Sequence, residues 1–220
     1  MFTSEEIVLL NNDWIAIIFM AIFFVLAVLN VFFGKRLVRT SRMLLTKSYV
    51  QTYYNKDKNK FFATFSSLLF VVQILTISLL SYLFITQFNL KEGFSNFNLF
   101  ALILGITAVY FVLRYLIGLL LANLFQLKDL FLRLSFEKSN YLSNIILWCL
   151  PLLLLSFYLK IFKVNMIKIT VLFFVIMLVF RYVLLLINNK KLILNNLFYF
   201  ILYICTLEIA PLILILKLTI

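Results

Sequence analysis

The chain has 220 residues, of which 65% are hydrophobic and 13% are charged, and it carries a formal net charge of +12. This composition, with a mean hydropathy of +1.12, excludes an ordinary soluble domain, and apolar stretches of roughly twenty residues recur at the length that crosses a bilayer. With only four glycines and two prolines, and no alternation of polar and apolar residues, a transmembrane barrel does not fit either. The sequence therefore predicts an all-α, polytopic transmembrane helical bundle that forms a single integral membrane domain over residues 1–220.

Six transmembrane spans are predicted in chain order, and they cover about residues 14–33, 61–86, 99–122, 141–159, 169–187 and 197–216. We expect the first span to be an anchor rather than a cleavable signal peptide, because Glu5, Glu6 and Asp13 precede it in place of a basic region. The basic loop 34–60 follows this span, and the positive-inside rule places the loop in the cytoplasm. Both termini are then predicted to be periplasmic.

The basic loop predicts contact with the anionic headgroups of the lipid bilayer, since each cation near a membrane surface contributes about 1 kcal/mol. The cations assigned to this contact are Lys35, Arg36, Arg39, Arg42 and Lys47. Because the charge lies in short loops beside apolar spans, no nucleic-acid partner is predicted. Two structures remain open for the start of the loop: an amphipathic helix in the membrane interface, or an extension of the first helix held by neighbouring helices.

The fourth span, 141–159, also has two alternatives. The loop after it holds Lys160, Lys163 and Lys168, which is a poor fit to a periplasmic side. If the span, which contains Pro151, re-entered the membrane instead of crossing it, this loop would lie in the cytoplasm. The apolar length of the span favours a crossing.

An Arg-Tyr pair occurs in two spans, as Arg114-Tyr115 and as Arg181-Tyr182, and a span with a lone proline follows each pair. These prolines, Pro151 and Pro211, predict helix kinks because proline removes a backbone donor. The correspondence indicates a possible tandem repeat of two helical hairpins, as some transporters have. Low-complexity apolar helices also match one another by chance, so the repeat remains one of two interpretations.

The intramembrane charges form the candidate site. Arg114 and Arg181 lie roughly 12 Å and 9 Å from the inner ends of their spans, within reach of headgroups or backbone carbonyls. Glu208 lies near the middle of the last span, where its short side chain cannot reach water. With Tyr115 and Tyr182, these residues form a predicted polar cluster. Glu208 either pairs with an arginine to lock the bundle or binds a cation or proton beside the carbonyl freed by Pro211.

Other polar residues in the spans predict interhelical hydrogen bonds rather than a pathway, and they are Gln73, Thr76, Ser78, Ser81 and Thr107. No cofactor, metal site or catalytic residue is predicted. Histidine is absent, and the two cysteines, Cys149 and Cys205, are isolated in apolar helices. Walker, GxGxxG and GxSxG motifs are also absent from the sequence. Whether the protein is an enzyme stays uncertain, and these absences weigh against it.

The C-terminal motif Leu207-Glu208-Ile209, followed closely by Pro211, resembles the end of the Bacteroidetes domain-of-unknown-function family 4271. The Arg181-Tyr182 pair before a short polar turn is similar to the same family. The resemblance implies an uncharacterised polytopic protein of a bacterial inner membrane. It implies no activity.

Three functional hypotheses follow. The first is a non-enzymatic accessory or scaffold subunit of a cell-envelope complex, with other membrane subunits or a second copy as partners. The alternative is a small transporter or carrier coupled to ions or protons, in which Glu208, Arg114 and Arg181 form a site inside the membrane. The third is a lipid-binding or lipid-modifying protein that acts at the basic inner face.

Overall fold

The computed structural model describes residues 13–43, 60–87, 95–124, 126, 128–159 and 163–188. Five helices lie in these residues, and in chain order they are α1 Asp13–Ser41, α2 Lys60–Gln87, α3 Asn96–Leu124, α4 Lys128–Tyr158 and α5 Lys163–Asn188. The described residues contain no strand, which confirms the all-α class. Each helix is long and apolar enough to cross a membrane, and each overlaps one of the first five predicted spans. The sixth, 197–216, lies outside the described residues together with Glu208 and Pro211.

Helices α2 and α4 form the centre of the bundle. Each of them packs against the other and against α1, α3 and α5. In the most apolar stretch of each helix, 44% of the residues of α2 and 56% of those of α4 are buried, against 22%, 11% and 17% for α1, α3 and α5. Within the described part of the chain, the three outer helices therefore leave most of their surface exposed, and the polar residues that need partners are concentrated on the central pair.

The core is apolar in its centre and aromatic at one end. Ile22 of α1, Leu79 of α2 and Leu153 of α4 are fully buried in one cluster. At the N-terminal end of α1, the ring centroids of Trp14 and Tyr82 are 5.2 Å apart. Because lipid tails are as apolar as leucine, close packing and interhelical hydrogen bonds hold such a bundle together.

Hydrogen bonds between side chains connect the helices as the polar residues in the spans predict. Gln73 of α2 donates to the carbonyl of Ser139 on α4 over 3.0 Å, and it also donates to the hydroxyl of Ser143. The hydroxyl groups of Ser78 and Thr107 join α2 to α3 at 2.7 Å. The prediction is confirmed for Gln73, Ser78 and Thr107.

A second pair of hydroxyl groups joins α4 to α5. The oxygens of Ser156 and Thr170 are 2.7 Å apart, and both residues are buried. Each hydroxyl oxygen also lies within hydrogen-bond distance of a backbone carbonyl of its own helix, so one hydroxyl donates to the other while the second donates to its carbonyl. Neither residue appeared among the polar groups singled out from the sequence, because both lie near the ends of the predicted spans.

Helix α1 continues past its predicted span. Phe33 has non-helical dihedral angles (φ −134°, ψ 30°), which bend the helix, and the chain then stays helical to Ser41. On this extension Arg36 and Thr40 are buried while Arg39 is exposed. The start of the predicted loop 34–60 is therefore the extension of the first helix, one of the two structures left open by the sequence.

Helix α4 holds the end of this extension in place. The amide nitrogen of Asn144 donates to the carbonyl of Thr40, and the indole nitrogen of Trp148 donates to the carbonyl of Ser41 over 3.1 Å. These carbonyls belong to the last turn of α1, where no partner exists within the helix. Side chains from α4 thus cap the C-terminus of α1.

Helix α4 itself begins earlier than the predicted span. Residues 128–140 are helical, although the sequence assigned them to a cytoplasmic loop, and the helix runs without interruption through Pro151. A continuous helix of 31 residues does not turn back on itself, so the re-entrant alternative for 141–159 has no support. The span was predicted too short because Glu137 and Lys138 lower the local hydropathy, while the bundle buries both side chains.

Candidate functional site

A cavity of about 660 Å³ lies between α2, α3, α4 and α5. Three cationic side chains line it: Arg114 of α3, Lys138 of α4 and Arg181 of α5. The two arginines come from the repeated Arg-Tyr motif and are 67 positions apart in the sequence (181 − 114 = 67). The structure brings them to one site, together with a lysine that sequence reasoning placed in a loop.

Arg181 is held firmly within the bundle. Its side chain is 5% exposed, and one terminal guanidinium nitrogen donates to the carbonyl of Lys138 over 2.8 Å. The guanidinium carbon lies 5.6 Å from the centre of the Tyr182 ring, within the range of a cation–π contact. Contact with a backbone carbonyl was one of the roles expected for this arginine, and the carbonyl belongs to α4.

Arg114 has a different environment, so the two arginines of the repeat are not equivalent. Its side chain is half-buried, and its neighbour Tyr115 is 45% exposed. The Tyr115 ring lies 6.1 Å from that of Phe131 on α4, which connects α3 to α4 at the edge of the cavity. The tandem repeat of two hairpins stays a prediction.

Five uncharged polar residues also line the cavity, although most of its wall is apolar. They are Ser66, Ser67 and Gln73 of α2 and Ser135 and Ser139 of α4. On α4, Ser135, Ser139 and Leu142 follow one another at helical spacing, with Lys138 beside them. Hydroxyl and amide groups donate hydrogen bonds, and so do the three cations.

The electrostatic character of the cavity follows from this lining. Among the described residues that line it, none is acidic. Three positive groups in a region of low dielectric attract negative charge much more strongly than they would in water. The volume is also in the range of pockets that hold small ligands, about 300–1,000 Å³. The chemistry that this arrangement supports is the binding of an anion.

Residues 15–219 match the family model described as Domain of unknown function (DUF4271). The chain belongs to the DUF4271 family. The suspected resemblance is thereby confirmed, and the match includes the C-terminal motif that suggested it. Neither a curated protein nor a solved structure matches the chain.

The other predicted site residues that the structure describes in this DUF4271 protein do not line the cavity, and they differ in their exposure. Arg36 is 3% exposed, and its guanidinium carbon lies 4.2 Å from the centre of the Phe65 ring, so its environment is the bundle interior rather than the expected headgroup layer. Lys35, Arg39 and Arg42 are exposed on the same segment. Those predicted site residues that lie outside the described residues are Lys47, Glu208 and Pro211. Pro151 is exposed within α4.

Sequence reasoning missed Lys138 as a member of the DUF4271 site, and one signal could have revealed it. Residues Ser135, Lys138, Ser139 and Leu142 recur at intervals of three and four, which is the pattern of a helix face. That pattern extends α4 towards its true start. In the part of the chain that the structure describes, no group of three or more His, Cys, Asp or Glu side chains is placed to hold a metal ion.

Proposed function

We propose that this protein is a non-enzymatic, multi-pass membrane protein that binds an anionic ligand in the cavity between α2, α3, α4 and α5. The observation that supports this proposal is the convergence of Arg114, Lys138 and Arg181 on one partly open cavity of about 660 Å³. The site contains Arg114 and Arg181 of the carrier hypothesis, and an anionic lipid as its ligand would agree with the lipid-binding hypothesis.

The energetics of buried charge favour such a ligand. Charged side chains within a membrane bundle are expensive and are retained where they pair or face a functional cavity. An anion in the cavity adds charge-assisted hydrogen bonds to the contacts that these side chains already make within the chain, and such bonds are stronger than neutral ones. Ligand binding to the folded state then also stabilises the fold by mass action.

The location of the cavity supports a cytoplasmic entrance. Arg114 and Arg181 lie in the C-terminal halves of α3 and α5, and Ser135 and Lys138 lie in the N-terminal half of α4. The same end of the bundle holds the basic segment that begins at Lys35, which the positive-inside rule assigns to the cytoplasm. The proposal therefore includes a bacterial inner membrane, with both termini periplasmic and anionic lipids in contact with the basic segment.

The accessory-subunit and carrier hypotheses stay predictions. A subunit requires a partner, either another membrane protein or a second copy, and a pull-down in mild detergent with mass identification tests this requirement. A carrier requires release of the ligand on both sides of the membrane, which a flux assay in vesicles measures. Anion binding at the cavity is compatible with the carrier and gives it a cargo of defined charge.

The test of the proposed function compares two arginines of the same chain. The protein is purified in a neutral detergent, and binding of inorganic phosphate and of dioctanoyl phosphatidic acid is measured by native mass spectrometry. We expect Arg114→Gln to weaken binding of any bound probe by about tenfold or more, because a hydrogen bond to a charged group contributes roughly 1.5–3 kcal/mol. Arg39→Gln changes an exposed cation outside the cavity, in the segment assigned to headgroup contact, so it is the control for anions bound at the surface and should weaken binding much less than Arg114→Gln.

Two results would contradict the proposed function. One is that neither probe binds. The other is that Arg114→Gln and Arg39→Gln weaken binding equally, which would place the bound anion on the surface. A third variant, Glu208→Gln, tests whether the chain supplies its own anion: a large gain in affinity for an added probe would identify Glu208 as the occupant of the cavity and overturn binding of an external ligand.

A further inference from the structure

The cavity has a membrane-facing side as well as a polar interior. Val112, Tyr115 and Leu116 of α3 line the cavity, yet they are 51%, 45% and 50% exposed. Helix α3 has the smallest buried share of the five described helices, so most of its surface beyond these residues is left uncovered by the described part of the chain. The wall formed by α3 is therefore also an edge of the bundle.

Among the described helices, α3 and α5 flank this edge, and neither of them closes it. Both pack against α2 and α4, but they do not pack extensively against one another. Arg114 and Arg181 project into the cavity from these two helices. A ligand between them would have its charged end at the arginines and any apolar part against the exposed faces of α3 and α5.

The lining of the cavity combines polar and apolar side chains, and the apolar ones include the buried Phe131 and Leu142 as well as residues at this edge. Gln73 and Ser139 lie inside, hydrogen-bonded to each other across α2 and α4. Val112 and Leu116 lie at the edge and are apolar. A bare inorganic anion uses the polar part of such a site alone, whereas a molecule with a negative headgroup and an apolar tail uses both parts.

From this arrangement we infer that the ligand is the phosphate-bearing headgroup of a membrane lipid, which enters sideways from the inner leaflet between α3 and α5. The inference rests on the proposed function and names its ligand class. The phosphate oxygens accept hydrogen bonds from Arg114, Lys138 and Arg181, and the acyl chains stay in the bilayer beside α3. The volume of about 660 Å³ holds the headgroup and glycerol region of the lipid, and the chains do not need to enter it.

The experiment compares ligands that share a phosphate and differ in the tail. Dioctanoyl phosphatidic acid, sn-glycerol 3-phosphate and inorganic phosphate are titrated against the protein in neutral detergent, with dioctanoyl phosphatidylcholine as a lipid whose headgroup has no net charge. We expect phosphatidic acid to bind at least tenfold more tightly than either soluble phosphate, since burying even two methylene groups raises affinity by roughly that factor.

A pair of variants on α3 tests the sideways entrance. Leu116→Trp adds bulk at the edge of the cavity, and we expect it to weaken phosphatidic acid binding about tenfold while binding of inorganic phosphate is unchanged. Leu120→Trp is the control, because Leu120 is one turn further along α3, is 62% exposed and does not line the cavity. Thermal unfolding of both variants in the absence of ligand shows whether either has lost its fold.

The outcomes separate this inference from the proposed function. Equal affinity for phosphatidic acid and inorganic phosphate, with both dependent on Arg114, would overturn the lipid and leave the anion site in place. Equal effects of Leu116→Trp and Leu120→Trp would overturn the sideways entrance. Binding of phosphatidylcholine as tight as that of phosphatidic acid would show that the net negative charge of the headgroup is not recognised, which contradicts an anionic lipid held by the three cations.

Discussion

At the scale of single residues, this protein uses its basic side chains in two ways. Arg36 and Arg181 are buried, and each has a specific neighbour, the Phe65 ring for Arg36 and the Lys138 carbonyl for Arg181. Arg39 is exposed on the same helix as Arg36 and three positions further on. Burying a guanidinium without such neighbours would be strongly unfavourable. The burial of a cation is therefore a better indicator of its role here than its charge.

Arg36 and Arg39 provide a matched pair for a stability measurement. We expect Arg36→Ala to lower the free energy of unfolding by about 1–2 kcal/mol, because it removes the packing of the side-chain stem and a partly desolvated cation–π contact with Phe65. Arg39→Ala should change it by less than about 0.5 kcal/mol, as surface substitutions usually do. Unfolding by SDS in mixed micelles measures both. Equal effects would contradict the interior role of Arg36.

At the scale of helices, the contact between the end of α1 and the side of α4 is the most specific polar feature outside the cavity. Asn144 and Trp148 are four residues apart on α4 and donate to consecutive carbonyls, those of Thr40 and Ser41. The carbonyl of Thr40 also accepts from the backbone of Met43 at 3.2 Å. This tertiary capping determines where α1 ends and fixes the basic extension against the bundle.

Removal of one capping donor tests this contact. Trp148→Phe keeps an aromatic ring and deletes the indole N–H, so we expect amide hydrogen exchange across residues 36–43 to accelerate by up to about tenfold, the equivalent of one hydrogen bond. Trp14→Phe makes the same chemical change at the N-terminal end of α1, far from the capped end, and should leave exchange across residues 36–43 unchanged. Hydrogen exchange measured by mass spectrometry on peptides from residues 36–43 compares the two variants. Unchanged exchange after Trp148→Phe would show that packing alone holds the extension.

At the scale of the whole molecule, the two central helices are more deeply buried than the three outer helices. Leu153 of α4 is fully buried, whereas Leu120 of α3 is 62% exposed. The cavity exists at the edge of this arrangement, where α3 and α5 both pack against the central pair and leave space between themselves. The division into a packed centre and lipid-facing outer helices thus produces the candidate site as well as the fold.

A leucine from each region tests this division. We expect Leu153→Ala to lower the free energy of unfolding by about 2–5 kcal/mol, because it leaves a cavity in a closely packed core. Leu120→Ala should have an effect within about 0.5 kcal/mol, since the side chain contacts lipid in both the folded and the unfolded state. The same SDS titration measures both. A large loss for Leu120→Ala would indicate that α3 packs against a partner not present in the single chain.

Hydropathy and length alone determined the class of the protein and the approximate positions of five helices. These properties are local, because each span must satisfy the bilayer by itself. The sequence also singled out Arg114 and Arg181, since charge within an apolar span is conspicuous. Only the tertiary structure showed that both arginines and Lys138 line one cavity, and that Arg36 is interior. Such placement depends on how helices far apart in the sequence pack, and a local pattern of polar and apolar residues contains no information on their neighbours.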